Sequence, residues 1–170
     1  LLGLRADTVL FNVQGDEPLI DPKLVGQTAA VLVESGAPMA TGAHEIHDFD
    51  EFRNPNVVKV VWCRKGRALY FSRAPIAYPR DSMRAGERTL PQADAPLRHI
   101  GIYAYRAGFL NEYAQMSASP LENIESLEQL RVLWHGHPIA VEIVAQAPAA
   151  GVDTQEDLER VRAVFQKVAQ

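Results

Sequence analysis

Cysteine is nearly absent: Cys63 is the only one in 170 residues. No disulfide framework can form within the chain, which suits a reducing compartment. A basic excess is missing too. Lys and Arg number 17 against 21 acidic residues, a formal net charge of -4, which argues against sequence-independent nucleic-acid binding through a basic face. No apolar run approaches the length of a transmembrane helix. There is no Walker loop, no dinucleotide-type Gly-rich fingerprint, no zinc-protease helix and no nucleophile elbow. Apolar residues at 47% and charged residues at 22% sit near globular averages, which argues against a disordered or membrane class. One domain of this length buries a real core. An anionic substrate fits the acidic balance if a few Arg or a metal ion handle its charge locally.

What is present begins with Gln14-Gly15-Asp16-Glu17-Pro18, directly after the apolar run Thr8-Val9-Leu10-Phe11-Asn12-Val13. The run predicts a short, buried, central strand. Gly15 frees the backbone and Pro18 stops the strand, so a turn follows. Asp16 then stands just past the carboxyl end of a strand, the edge where ligands bind in open α/β sheets. The alternative is that Asp16 only orders its turn.

Asp21-Pro22 reads as N-cap and first helical position, predicting a helix to Ser35 with Leu24, Ala29, Val31 and Leu32 facing inward. Gly36-Ala37-Pro38 ends it and residues 39–43 form the next strand. Residues 48–52 make one helical turn, stopped at Asn54-Pro55. Val57-Val58-Lys59-Val60-Val61 is a strand, paired with residues 68–71 across a turn at Lys65-Gly66. Residues 75–96 show no sustained periodicity and read as an irregular loop or arm. Residues 99–105 are strand-like and residues 108–116 hold a short helix. A single helix is expected over residues 121–134, with Ile124, Leu127 and Leu130 inward. Residues 139–144 form a strand. A last helix starts at Thr154, with Asp157 in capping-box position and Leu158, Val161 and Phe165 buried. Strands and helices interleave in one α/β domain spanning 1–170.

Several polar residues have ordinary explanations. His135 and His137 flank Gly136 at a helix end with no Cys or third His nearby, which reads as a plain C-terminus. Cys63 reads as a buried, inert thiol, and Arg64, Lys65 and Arg67 as a solvated hairpin tip. Arg73 follows the strand end Tyr70-Phe71-Ser72 and is either a surface residue or a guanidinium placed for bidentate carboxylate or phosphate binding. His99 and Tyr103 lie four apart on one strand and share a face, which is either a sugar-binding wall or a solvent side. Asp153, in Gly151-Val152-Asp153-Thr154, has the chemistry of a helix cap.

Seven segments acquire meaning together. They are Val13-Gln14-Gly15-Asp16-Glu17-Pro18, Asn54-Pro55-Asn56-Val57-Val58-Lys59-Val60-Val61 and Ala68-Leu69-Tyr70-Phe71-Ser72-Arg73-Ala74-Pro75-Ile76. With them go Arg98-His99-Ile100-Gly101-Ile102-Tyr103-Ala104-Tyr105-Arg106, Ser119-Pro120-Leu121-Glu122, Leu127-Glu128-Gln129-Leu130-Arg131 and Gly151-Val152-Asp153-Thr154-Gln155-Glu156-Asp157-Leu158. In content and order the chain resembles the 3-deoxy-manno-octulosonate (KDO) cytidylyltransferases, or CMP-KDO synthetases, over nearly its whole length.

The resemblance implies a Rossmann-like nucleotidyltransferase fold, three-layer α/β/α with a mixed sheet, in a cytoplasmic homodimer of Gram-negative bacteria. It implies CTP and KDO as substrates, giving CMP-KDO and pyrophosphate for lipopolysaccharide synthesis. Asp16 and Asp153 fall on the magnesium-binding, catalytic positions. Gln14, Arg73, His99, Tyr103, Glu128 and Gln129 fall on the sugar site, with Arg73 toward the sugar's carboxylate. The family's opening strand and its Arg-, Ser- and Lys-containing triphosphate loop have no counterpart here. The expectation is therefore a chain lacking its N-terminal part, inactive alone, with both metal ligands, the sugar site and the dimerisation half retained. The alternatives are a non-catalytic acidic-sugar-binding or dimerisation module, and a cytidylyltransferase for another acidic sugar such as a sialic acid.

Overall fold

Runs rich in Val, Ile, Tyr and Ala build one mixed sheet of six strands. In a computed structural model, which describes residues 3–13, 18–145, 152 and 155–168, these are β1 (Val9–Val13), β2 (Met39–Glu45), β3 (Lys59–Cys63), β4 (Arg67–Ser72), β5 (Leu97–Arg106) and β6 (Ile139–Val144). Their order is β1-β5-β2-β6-β4-β3. The long strand β5 organises the rest. It pairs antiparallel with β1, with β2 and, at Lys59↔Arg98 and Val60↔Leu97, with β3. The sheet therefore curls until β3 meets β5. β2 and β6 are parallel. Since β1 and β2 both oppose β5, strands β1, β2 and β6 end on the same edge.

Helices cover both faces, as expected for three layers. Helix α1 (Pro22–Ser35) starts where the Asp21 carboxylate accepts the Lys23 N–H and stops at Gly36, whose φ of 67° suits a left-handed cap. Its Leu24 and Leu32 meet Ile100, Ile102, Ala40, Ala104 and Ala140. The small residues bring helix and sheet close: a Cβ on Gly42 would lie 3.5 Å from Leu24 Cδ1 of α1. Across the sheet, Phe109 of α4 (Ala107–Tyr113) joins Leu127, Leu130 and Val132 against Met39, Phe71, Tyr103 and Val141. The single turn α2 (Phe49–Arg53) is capped by the Asp48 carboxylate, which accepts from the N–H groups of Asp50 and Glu51.

Several expectations give way. The strand β1 is an edge of the described sheet and only part-buried, because it pairs with β5 alone; it is not central. The span 75–96 is not wholly irregular: α3 (Arg80–Ala85) forms there, and Met83 and Leu90 cover Ile46, Phe52 and Val57. Six residues are too few to show a helical period. Cys63 is part-exposed rather than buried. In α7 (Gln155–Val168) Val161 is buried but Phe165 is exposed. Thr154 and the Asp157 side chain lie outside the described residues.

The largest departure is at residues 121–134, where two helices replace one. α5 (Pro120–Glu125) opens with a reciprocal capping box between Ser119 and Glu122, and α6 (Gln129–Trp134) follows after a break. At the break Ser126 is left-handed, with φ 53°. The turn leaves Ile124 78% exposed and buries Leu127. The Arg131 guanidinium clamps Glu122 across the break, with Nε to Oε2 at 2.8 Å and Nη2 to Oε1 at 2.5 Å. A continuous helix would move Glu125 away from the strand end that it binds.

A left-handed non-glycine residue carries a backbone cost that is relieved by Gly and worsened by β-branching. Ser126→Gly should be neutral or stabilising by up to about 1 kcal/mol, and Ser126→Val destabilising by roughly 1–2 kcal/mol. Urea midpoints of the three proteins check this order.

Candidate active site

β5 begins beside the edge where β2 and β6 end: His44 pairs with Arg98 on one side and Val144 on the other. Next to it the break after α5 faces the end of β4. Between them opens a cleft of about 280 Å³. Arg73, His99, Tyr103, Glu128 and Gln129 all line it, together with Asn56 and Arg98. Five of the side chains marked by the sequence thus converge. Gln14, Asp16 and Asp153 lie outside the described residues.

Arg73 is held from behind by neutral oxygens. Its Nε donates to the Glu125 carbonyl at 2.7 Å, Nη1 to the Pro55 carbonyl at 3.2 Å and Nη2 to the Ser126 carbonyl at 3.4 Å. The Glu125 carboxylate is turned elsewhere, accepting from Ser72 Oγ at 2.6 Å and the Arg73 backbone N–H at 2.9 Å. A guanidinium has five N–H groups. Three are spent on carbonyls, and among the described residues the other two have no partner and no carboxylate pairs with the head group. That leaves a fixed cation fit for an anionic ligand.

Lys59 steadies the same corner. It is fully buried, and its Nζ donates to the carbonyls of Asn54 at 2.9 Å, Val57 at 2.5 Å and Arg73 at 2.7 Å. Burial lowers its pKa, opposed by the nearby Glu125 carboxylate.

The opposite wall is aromatic. The His99 ring meets Phe71 edge-on at 4.9 Å and lies 5.5 Å from the Tyr103 ring. Burial drives the imidazole pKa down to about 3. Burial also raises the Tyr103 phenol well above its ordinary value, helped by the negative charge of the nearby Glu128 carboxylate. His99 is therefore a neutral imidazole and Tyr103 a neutral phenol at ordinary pH.

Gln129 is the most informative member. It is 1% exposed, and neither its Nε2 nor its Oε1 has a hydrogen-bond partner among the described residues. A buried amide left unpaired costs about 1–3 kcal/mol. Such a group at a cleft suits a ligand with both donors and acceptors.

Other openings lack this convergence. A groove of about 360 Å³ along β3 is lined by Trp62, Tyr78 and several Pro, with Glu45 and Asp94 as its charged side chains. His137 pairs with Glu112 at 3.2 Å, while His135 bonds the Ser117 carbonyl. Among the described residues no group of three or more His, Cys, Asp or Glu could hold a metal.

Sequence reasoning passed over Lys59, Glu125, Asn56, Arg98 and, behind His99, Thr41. Only Lys59 carried a signal, as a charge inside an apolar strand. Glu125 looked like any solvated helix residue.

The His99 shift also predicts a pH effect. Its folded pKa is depressed below the unfolded 6.5, so its contribution to stability is present above pH 6.5. It is lost as pH falls toward 3, at up to about 1.4 kcal/mol per pH unit. Between pH 7 and pH 5 the wild type should lose about 1–2 kcal/mol more than His99→Gln, read from urea unfolding at both pH values.

Residues 2–143 match the cytidylyltransferase family. A 3-deoxy-manno-octulosonate cytidylyltransferase of Neisseria meningitidis serogroup A is 70% identical over 98% of this chain and 66% of its own length. One from Herminiimonas arsenicoxydans is 61% identical over 97% and 66%. The chain thus spans a little under two thirds of the length of these relatives. A solved structure of CMP:2-keto-3-deoxy-manno-octonic acid synthetase complexed with CTP superposes with a TM-score of 0.82, at 41% identity over 96% of this chain and 64% of the other. Shared fold, high identity and the family match agree, and the chain belongs to the cytidylyltransferase family.

Proposed function

We propose that this chain carries the sugar-binding part of a 3-deoxy-manno-octulosonate cytidylyltransferase, which transfers CMP from CTP to KDO and releases pyrophosphate for lipopolysaccharide synthesis. The observation that carries the reading is the unpaired, buried Gln129 amide in a cleft shared with Arg73, His99 and Tyr103. KDO has the matching chemistry: a carboxylate for the two Arg73 N–H groups that have no partner among the described residues, and hydroxyls for the amide, imidazole and phenol. Unpaired polar groups in such a site penalise a sugar that lacks the matching hydroxyl. The names and identities of the relatives point to the same substrate.

In this reading the anomeric hydroxyl of KDO attacks the α-phosphorus of CTP. The bond from that phosphorus to the bridging oxygen breaks, pyrophosphate leaves, and the hydroxyl proton is lost. The protein's part is positioning and charge. Arg73 neutralises the sugar's own carboxylate, which lowers its repulsion with the triphosphate. The neutral His99 and Tyr103 orient hydroxyls without adding charge.

Asp16 and Asp153 are the proposed magnesium ligands. Two carboxylates fit this ion, which takes one or two from protein and completes its shell with water and substrate oxygens. Asp16 comes three residues after the end of β1 and Asp153 nine after that of β6, and those ends share the sheet edge beside the cleft. The bound ion would supply charge neutralisation at the phosphates. Gln14 is placed with the sugar site on the resemblance, as are the homodimer and the cytoplasmic setting.

Arg73→Lys keeps the charge but loses the planar fork and its carbonyl cradle. Charge-assisted hydrogen bonds of about 1.5–3 kcal/mol are at stake. KDO binding by calorimetry should weaken roughly 10–100-fold, and Gln129→Leu should weaken it too. KDO binding to the folded chain that neither substitution changes would sink the sugar-site reading. With the chain set in a full-length reading frame of its relatives' size, pyrophosphate release from CTP that depends on KDO and is lost in Asp16→Ala is the expected result for the catalytic role.

A further inference from the structure

The wall that carries His99 contains an irregularity. Between Thr41 and Gly42 of β2 the register against β5 jumps from Tyr103 to Ile100, so Gly101 and Ile102 have no opposite residue on that side. Such a bulge leaves ladder carbonyls without their usual donors. The Thr41 hydroxyl, completely buried, reaches into the gap: its oxygen is 2.7 Å from the Ile102 carbonyl and 3.1 Å from the Ile100 carbonyl. The same oxygen is 2.8 Å from His99 Nε2.

A hydroxyl has one proton to give. Both carbonyls are pure acceptors, so at these distances the Thr41 proton must go to one of them. Were it given to His99 instead, two oxygens would face the hydroxyl lone pairs with no proton between. The third contact therefore runs the other way, with His99 Nε2–H donating to Thr41 Oγ1. A neutral imidazole has a single N–H, and burial keeps His99 neutral. Nδ1 is then left as a lone-pair acceptor, on a ring whose plane is set by Phe71 and Tyr103 and which lines the cleft.

Taking the cleft as the sugar site, we propose that Thr41 is a positioning residue that fixes His99 in the Nε2–H tautomer, so that the imidazole offers Nδ1 as an acceptor and selects ligands bearing a hydroxyl donor at that point. The strand bulge is the device that commits the Thr41 proton. His99 touches the ligand; Thr41 acts only through it.

Long-range proton–nitrogen spectra of the nitrogen-15-labelled chain at pH 7 read the tautomer directly, with the His99 signals assigned by their loss in His99→Gln. The expected result is an unprotonated Nδ1 and a protonated Nε2. A protonated Nδ1 in the folded wild type would overturn the proposal. Thr41→Val removes the hydroxyl at nearly constant shape and should mix the tautomers, with KDO binding about tenfold weaker. Thr41→Ser should retain the wild-type tautomer and affinity. An unchanged tautomer in folded Thr41→Val would refute the role of Thr41. If Thr41→Val does not fold, the wild-type tautomer and its retention in Thr41→Ser decide instead; a changed tautomer in folded Thr41→Ser counts against the proposal. Nε2–H in the wild type without KDO binding would uphold the tautomer control and overturn the sugar reading, so the two fail separately.

Discussion

The buried ammonium of Lys59 is the constraint on which the cleft depends. A charge taken out of water is tolerated only where polar partners surround it, and here the partners are the carbonyls of Asn54, Val57 and Arg73. Those carbonyls belong to the turn before β3 and to the residue after β4. The ammonium therefore ties together the two chain segments that leave the β3–β4 ladder beyond its last pair, Lys59↔Ser72. Pro55, inside the tied turn, in turn gives its carbonyl to the Arg73 guanidinium. Removing the charge would leave buried carbonyls without donors and release the floor under Arg73.

Glu125 completes the brace from the other side. Its carboxylate takes the Ser72 hydroxyl and the Arg73 N–H, and its carbonyl takes the Arg73 Nε–H. The arrangement requires the chain to turn sharply at Ser126, and the Glu122–Arg131 clamp holds the two short helices around that turn. Backbone strain at one residue is offset by bonds on both sides. The gain is preorganisation: Arg73 is ordered before any ligand arrives, so binding does not bear the entropy of fixing a long side chain.

The opposite wall follows the same logic with different chemistry. A bulge in the β2–β5 ladder opens carbonyls, Thr41 commits its one proton to them, and the direction of the His99 hydrogen bond follows. On one side of the cleft backbone carbonyls aim a cation, and on the other they set the proton of an imidazole. Both effects come from places where regular secondary structure stops.

Much of this chain was legible in advance because it is written in local chemistry. Asp21-Pro22 and Gly36 bound α1 at the expected residues, since caps act within one turn. Residues 139–144 formed the expected strand, since a short apolar run of that kind has few other uses. Arg73, His99, Tyr103, Glu128 and Gln129 were singled out by residue type and family pattern, and the fold brings them to one cleft. What tertiary structure alone decided was how those residues face one another. The break at Ser126 was invisible because Ile124, Leu127 and Leu130 recur at unbroken helical spacing, while the contacts of Ser72 and Arg73 with Glu125 that favour two helices come from distant segments. The edge position of β1 depends on which strands pair with β5, a long-range choice that no local run of residues encodes. The states of Lys59, His99 and Thr41 depend on burial and on carbonyls brought from distant segments. The sequence by itself determined which elements form and which chemical groups are available. The folded sheet determined which of those groups lose water, gain a partner, or are left open for a ligand, because solvation and hydrogen bonding are set by neighbours in space.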